Sequence, residues 1–378
     1  MLPVLLLGAC KSTHFVPDEQ FLLQKNKVHL TSKSTIDEEE LSMYVKQKPN
    51  KAILLNSWRI YLTSYNFLHR KKDDMPDYQH KKHGLLGRLR LKSIEALGEA
   101  PVILDSAKIP YSILQMQSFL RNKGYYDSKI NAQIKYKGKK KAKVIYTVDL
   151  GKPYTVNNIT LKTPLAHMKK LLNEDSLNLP VKKESLFDIN MLNTERQYIS
   201  NLFQNKGYYD FNEYYVHYKA DTTIGNQKVN LVIEIDNPLI KQEGSDSLYT
   251  AKHNRYRIRN IYVQPDFNAA NPNLPSTDTL TVLGDISRSR RTWKLDTTMI
   301  NYIFRDTLKY KPTPINKAIY FKQNKYYQLS QHQETYQQLN NLGIFNYIKI
   351  DYKKVTTDTT PKLDVYIKMN SKKRYSIS

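Results

Sequence analysis

The hexapeptide Asn-Lys-Gly-Tyr-Tyr-Asp occurs at Asn122–Asp127 and again, unchanged, at Asn205–Asp210. A reacting group is needed once in a chain, whereas a stacked structural unit is written again at each copy. The flanks decide between the two. Ahead of Gly124, Ile113, Met116 and Leu120 keep helical spacing; ahead of Gly207, Leu192, Ile199 and Phe203 do the same. Glycine at the end of such a pattern is a helix stop, because it accepts the left-handed backbone without a Cβ penalty. After each glycine the period becomes two. Ile130, Ala132, Ile134 and Tyr136 alternate with polar residues, and Val144, Tyr146, Val148 and Leu150 follow; the later copy has Val216 and Tyr218, then Val229, Leu231, Ile233 and Ile235. Each unit therefore closes as helix, glycine, strand, turn, strand.

A third copy obeys the same grammar. Leu339 stands four before Gly343, as Leu120 and Phe203 stand before their glycines. Ile348, Ile350 and Tyr352 alternate after it, and Leu363, Val365, Ile367 and Met369 form the last strand. The predicted edge-forming strands are about Asp127–Tyr136, Asp210–Tyr218 and Phe345–Tyr352. The units also share an opening. Tyr154-Thr155-Val156-Asn157-Asn158-Ile159 aligns with Tyr256-Arg257-Ile258-Arg259-Asn260-Ile261, and Lys27–Leu30 takes that part in the first unit. A helix with acidic residues in its first turn, which suits the helix dipole, follows at 37–48. The expected fold is α+β: three β-α-α-β-β units in an extended array, each a small mixed sheet with helices on one face.

The balance of charge narrows the partners. Lys and Arg number 59 against 35 Asp and Glu, a net charge of +24, which favours anionic surfaces. Tyrosine is abundant at 29, and a hydrophobic content of 40% supports packed cores. A single cysteine, Cys10, excludes an intramolecular disulfide and a cysteine-built metal site. It ends the run Met1–Cys10, apolar, too short to span a bilayer, and finishing in Leu7-Gly8-Ala9-Cys10. The run reads as the tail of a secretory signal with a bacterial lipobox, although it lacks a basic beginning. The alternative is a buried strand with an inert thiol. Residues 11–20 are polar and aperiodic, as a tether is.

Other chemistry finds little support. His80 and His83 have metal-ligand spacing but lie in a lysine-rich loop. No phosphate loop, dinucleotide glycine motif, HExxH or nucleophile elbow is present, so an enzyme is not expected, nor a cofactor or metal. Residues 51–101 interrupt the first unit with an aromatic start and a basic middle. They read either as an insertion that touches lipid headgroups or a partner, or as an elaborated, solvated loop. The basic stretch 119–152, with its interleaved tyrosines and the run Lys137–Lys143, has the composition of a single-strand nucleic-acid surface. It also falls between two strands, where a solvated hairpin turn is expected, and a secreted chain seldom meets nucleic acid.

These features resemble POTRA domains, the periplasmic arm of the BamA/TamA superfamily of outer-membrane assembly proteins. The lipobox, the early Phe15–Leu30 stretch and the two tyrosine-led openings are similar to the Bacteroidetes lipoprotein form of TamA, called TamL. The resemblance implies an outer-membrane lipoprotein facing the periplasm, lipidated at Cys10. It implies a TamB-like periplasm-spanning partner and unfolded outer-membrane proteins as clients, taken by strand addition at a sheet edge. The edge residues would be Ile130, Ala132, Ile134, Tyr136, Val216, Tyr218, Ile348 and Ile350, with Gly124, Gly207 and Gly343 as helix-to-strand turns. The alternatives are a BamA-type insertase arm and a basic secreted module for nucleic acid or acidic lipid. The expected organisation is a signal remnant at 1–9, a lipidated tether at 10–25 and a first unit at 26–151. A second unit at 152–240, a linker at 241–254 and a third unit at 255–370 follow. A β-barrel follows the arm in that family, and 371–378 is expected to open its first strand, as in a truncated arm.

Overall fold

The computed structural model describes residues 12–52, 59–69, 98–242, 244, 246–268, 278–288, 295–355 and 360–371. Cys10, His80, His83 and 372–378 therefore lie outside the described residues, as does most of the insertion 51–101. The chain divides into two compact units, Met1–Thr155 with Leu186–Ile189, and Val156–Ser185 with Asn190–Ser378.

The first unit contains β1 (Leu22–Leu30), α1 (Glu38–Ser42), α2 (Ile60–His69), α3 (Lys108–Asn122), β2 (Lys129–Tyr136) and β3 (Lys141–Asp149). The sheet order is β1-β3-β2, with β1 parallel and β2 antiparallel to β3. Burial drives the arrangement. Val144, Tyr146 and Val148 face the same side of the central strand and close a core with Leu23, Leu41, Met116 and Leu120. The strand β1 begins at Leu22, so the ordered unit starts inside the residues read as tether. Leu22 and Leu23 are fully buried, which is why the chain is held there.

The second unit holds two larger sheets and a two-stranded one. One uses β4 (Thr155–Lys162), α4 (Ala166–Glu174), α5 (Ile189–Asn205), β5 (Val216–Asp221) and β6 (Lys228–Ile235), in the order β4-β6-β5. The expected strand from Asp210 is shorter than the sequence pattern. Phe211 turns into the core, and the Asn212 side chain accepts the Tyr214 N–H at 3.0 Å, starting a 3-10 turn at Glu213–Tyr215. A small hairpin, β7 (Leu239–Lys241) with β8 (Leu248–Thr250), occupies part of the residues expected as linker.

The other sheet departs from the expected grammar. Its elements are β9 (Arg257–Gln264), β10 (Asp278–Arg288), β11 (Leu295–Phe304), α6 (Pro312–Lys317), α7 (Leu329–Asn341), β12 (Phe345–Val355) and β13 (Lys362–Ser371). The order β10-β11-β9-β13-β12 keeps the three-strand core and adds a hairpin, β11 lying parallel along β9. Between β9 and the first helix the chain thus forms two strands before any helix. The cause is visible in the residues: Thr279, Thr281, Val282, Thr298, Ile300 and Tyr302 are strand formers, and Ile300 and Tyr302 are buried.

Candidate functional site: sheet edges and glycine junctions

The three cores share one hydrogen-bonded frame. Leu104, Phe187 and Tyr327 donate their N–H groups to the carbonyls of Phe21, Tyr154 and Tyr256 at 2.7, 2.9 and 2.9 Å. Leu23, Val156 and Ile258 donate to Val102, Ser185 and Lys325 at 2.8, 2.9 and 2.9 Å. In each core the loop before the second long helix therefore pairs with the first residues of the opening strand. The loop turns through Glu184 (φ 66°) and Asn324 (φ 61°) in the second and third copies. Eight residues after the frame donor stands a buried polar side chain, Ser112, Glu195 or Thr335. The Ser112 hydroxyl accepts the Lys46 N–H and that of Thr335 the Tyr320 N–H, both at 3.0 Å. Burial raises the Glu195 carboxyl to about 7, opposed in part by the Val181 N–H and the Lys182 charge.

The strands after the glycines, β2, β5 and β12, each end their sheet and, among the described residues, each pairs with one strand only, as β1, β4 and β10 do at the other ends. An unpaired strand edge presents N–H and C=O groups that another extended chain can use. Of the side chains singled out from sequence, Ile130, Val216 and Ile350 are buried in the cores, and Ala132, Ile134, Tyr218 and Ile348 are half-buried. Tyr136 is exposed. The residues that these strands turn outward are mainly Lys129, Lys135, His217, Lys219 and Lys353. Arg196 is an addition that periodicity did not reveal. Its Nε donates to the Val216 carbonyl at 3.0 Å and its guanidinium lies over the Tyr218 ring at 5.5 Å, so the start of the β5 edge has a charged guard. Beyond β5, Lys162 at 2.5 Å and Lys219 grip Glu234, and their hydrogen bonds hold its carboxyl down to about 2.

Gly124 (φ 89°) and Gly207 (φ 100°) each follow the last turn of the second long helix. The next residue bonds back, Tyr125 to Leu120 at 2.8 Å and Tyr208 to Phe203 at 3.1 Å. The glycine carbonyls accept the N–H groups of Tyr154 and Tyr256 at 2.9 and 2.8 Å. A Cβ on Gly124 would stand 3.0 Å from the Phe187 carbonyl oxygen, and one on Gly207 3.0 Å from the Tyr326 ring. The doubled tyrosine has a division of labour. Tyr125 and Tyr208 enter their own cores, while Tyr126 and Tyr209 meet the opening tyrosines, with ring centroids 5.2 Å from Tyr154 and 5.9 Å from Tyr256. Tyr126 stays exposed beside that contact, whereas Tyr209 is half-buried. Arg255 and Arg257 clasp the Tyr326 ring at 3.8 and 4.1 Å.

Gly343 (φ 70°) shares the backbone conformation but not the junction. From the frame outward, α7 is 13 residues and α5 is 17, a loss of about one turn. β12 starts two residues after Gly343, with Ile344 exposed and Phe345 buried, so these two do not occupy the places of the tyrosines. A Cβ on Gly343 would have nothing within 4 Å. Among the described residues no group of three His, Cys, Asp or Glu side chains is placed to hold a metal ion, and no helix is long and apolar enough to cross a membrane.

No protein-family model and no curated protein matches the sequence. Solved structures do. The chain is similar to POTRA3-5 of BamA from Haemophilus influenzae, at 11% identity over 94% of this chain and 100% of that one, with a TM-score of 0.36. It is similar to POTRA1-3 of the periplasmic domain of Omp85 from Anabaena, at 9% identity, 95% and 98% coverage and a TM-score of 0.27. The N-terminal domain of Omp85 from Thermosynechococcus elongatus gives 8% identity, 94% and 100% coverage and a TM-score of 0.25.

Proposed function

We propose that this chain is the periplasmic arm of an Omp85-type outer-membrane assembly or translocation factor, and that it takes extended client or partner segments by strand addition. One observation carries the reading. In all three cores the chain's own loop pairs with the first residues of the opening strand, while the strand after the glycine ends the sheet and pairs on one side only. Backbone pairing at such an edge ignores the sequence of the added strand, which suits a factor handling many clients. Lysines along β2, β5 and β12 discourage pairing with another copy of the arm, because like charges would be brought together.

The finer reading is the Bacteroidetes lipoprotein form, with Cys10 acylated, the residues before it removed, and a TamB-like protein as partner. In the lipoproteins it resembles, acidic residues just after the cysteine mark export to the surface; Lys11-Ser12-Thr13-His14 has none, which supports a lipid in the periplasmic leaflet. Palmitate labelling of the parent chain and of Cys10→Ala tests the anchor; equal labelling of both would remove it. A photo-crosslinker placed at Tyr136, His217 or Tyr347 should capture an unfolded outer-membrane protein, and one at Thr160 on β4 should not. Capture at Thr160 alone would contradict the assignment of the binding edge.

A further inference from the structure

The turn between β2 and β3 carries six lysines in the nine residues 135–143, Lys135, Lys137, Lys139, Lys140, Lys141 and Lys143, with no acidic residue among them. Lys135 and Lys143 stand directly opposite in the ladder, a pairing of like charges that destabilises a hairpin. Among the described residues, one carboxylate reaches this group. Asp18 meets Lys140 at 2.8 Å, and the same ammonium donates to the Val16 carbonyl at 2.7 Å. The Leu22 N–H donates to the Lys140 carbonyl at 3.0 Å, and the Phe21 and Tyr136 rings lie 4.4 Å apart. These bonds lash residues 16–22 along the hairpin. Thr13 and His14 then line an open hollow together with Lys137, Gly138, Lys139, Lys140 and Lys141.

The placement matters because Thr13 follows Cys10 by three residues, a reach of about 11 Å at full extension. An acyl chain on Cys10 would thus bring the lysine hairpin to the bilayer surface that holds the chain. Ammonium groups bind phosphate as compact charges, and a polybasic patch beside an acyl chain is a second membrane signal. Tyr136, 58% exposed at the base of the turn, has the amphipathic ring that suits a headgroup region. We propose that the hairpin 135–143 binds anionic phospholipid headgroups and so fixes how the first unit stands on the membrane. The proposal rests on the anchoring of Cys10 argued above, but the hairpin itself can be tested without it.

The experiment uses the full chain with Cys10→Ala and flotation with vesicles of phosphatidylcholine alone or mixed with phosphatidylglycerol. The chain should bind the mixed vesicles, release them as salt rises, and ignore phosphatidylcholine. Joint replacement of Lys137, Lys139 and Lys141 by Gln spares the Lys140 ties and should weaken binding on the order of 10²-fold. Replacement of the same three by Arg should retain it, which separates charge from folding. Undiminished binding by the Gln variant, or no preference for phosphatidylglycerol, overturns the proposal. So does displacement by equimolar inorganic phosphate, or tighter retention of a single-stranded oligonucleotide by the same lysines. Palmitate labelling of the parent chain reads the anchor independently, so failure of one claim is distinguishable from failure of the other.

Discussion

The second and third cores are built on one frame, yet they solve three matched positions differently. At the irregular point of the opening strand, Arg259 bonds Asp364 through Nε at 2.9 Å and through a terminal nitrogen at 2.5 Å, and Asp364 also accepts the Asn260 N–H at 3.2 Å. The same places in the second core hold Asn157 and Asn230, a neutral pair at 2.9 Å. Behind the frame, Glu195 stands where the third core has Thr335. At the helix end, Gly207 is pressed against Tyr326, whereas Gly343 faces open space. The lesson is that the backbone bonds define the unit, and the side chains that complete it are free to change in charge and size.

The largest effect should come from the ion pair. Arg259→Ala leaves the buried Asp364 carboxylate without its partner and should cost about 3 kcal/mol. Asn157→Ala, removing the neutral counterpart, should cost about 1 kcal/mol. Urea unfolding of the two variants checks the ratio; equal losses would mean that the Asp364 carboxylate does not depend on Arg259.

A comparable effect with a pH signature belongs to Glu195. Its folded-state carboxyl sits near 7 and its unfolded one near the ordinary 4.5. The contribution is therefore fully present below about 4.5 and is lost as pH rises through about 7, amounting to about 3 kcal/mol. Burial lowers the pKa of His253 and His332, which act in the opposite sense. The readout is accordingly the difference between parent and Glu195→Gln, whose melting temperatures should converge at pH 5 and separate at pH 8. Parallel curves would place the carboxyl in water.

The glycines give the smallest and most local contrast. Gly207→Ala forces a Cβ onto the Tyr326 ring at positive φ and should cost about 2 kcal/mol; Gly343→Ala meets only the backbone penalty of about 1 kcal/mol. A Tyr326→Ala background should bring the two losses together, measured by the same unfolding curves. If they stay apart, the Tyr326 contact is not the cause.

Much of this was legible from residue order. The period of three to four before Gly124 and Gly207, and of two after them, placed the long helices and the paired strands, because a half-buried element writes its burial into its spacing. The hairpin 278–304 escaped, since its strands lie in polar, threonine-rich sequence after a run of Asn and Pro that marks a loop. The frame itself is invisible to any pattern of side chains. It is made of backbone N–H and C=O groups, and the turns at Glu184 and Asn324 use residues with no glycine to announce them. Arg196 lies one position from the core stripe of its helix and gave no periodic signal. The edge positions were named from apolar alternation, which reports the face turned to the core, whereas the groups available to a partner belong to the backbone.

Hydrogen–deuterium exchange of the full chain, with and without an unfolded outer-membrane protein segment, tests the central claim most directly. Strand addition predicts slower amide exchange within Lys129–Tyr136, Val216–Asp221 or Phe345–Val355, with Thr155–Lys162 and Arg257–Gln264 unchanged. Protection confined to the helices, or to the opening strands, would contradict it.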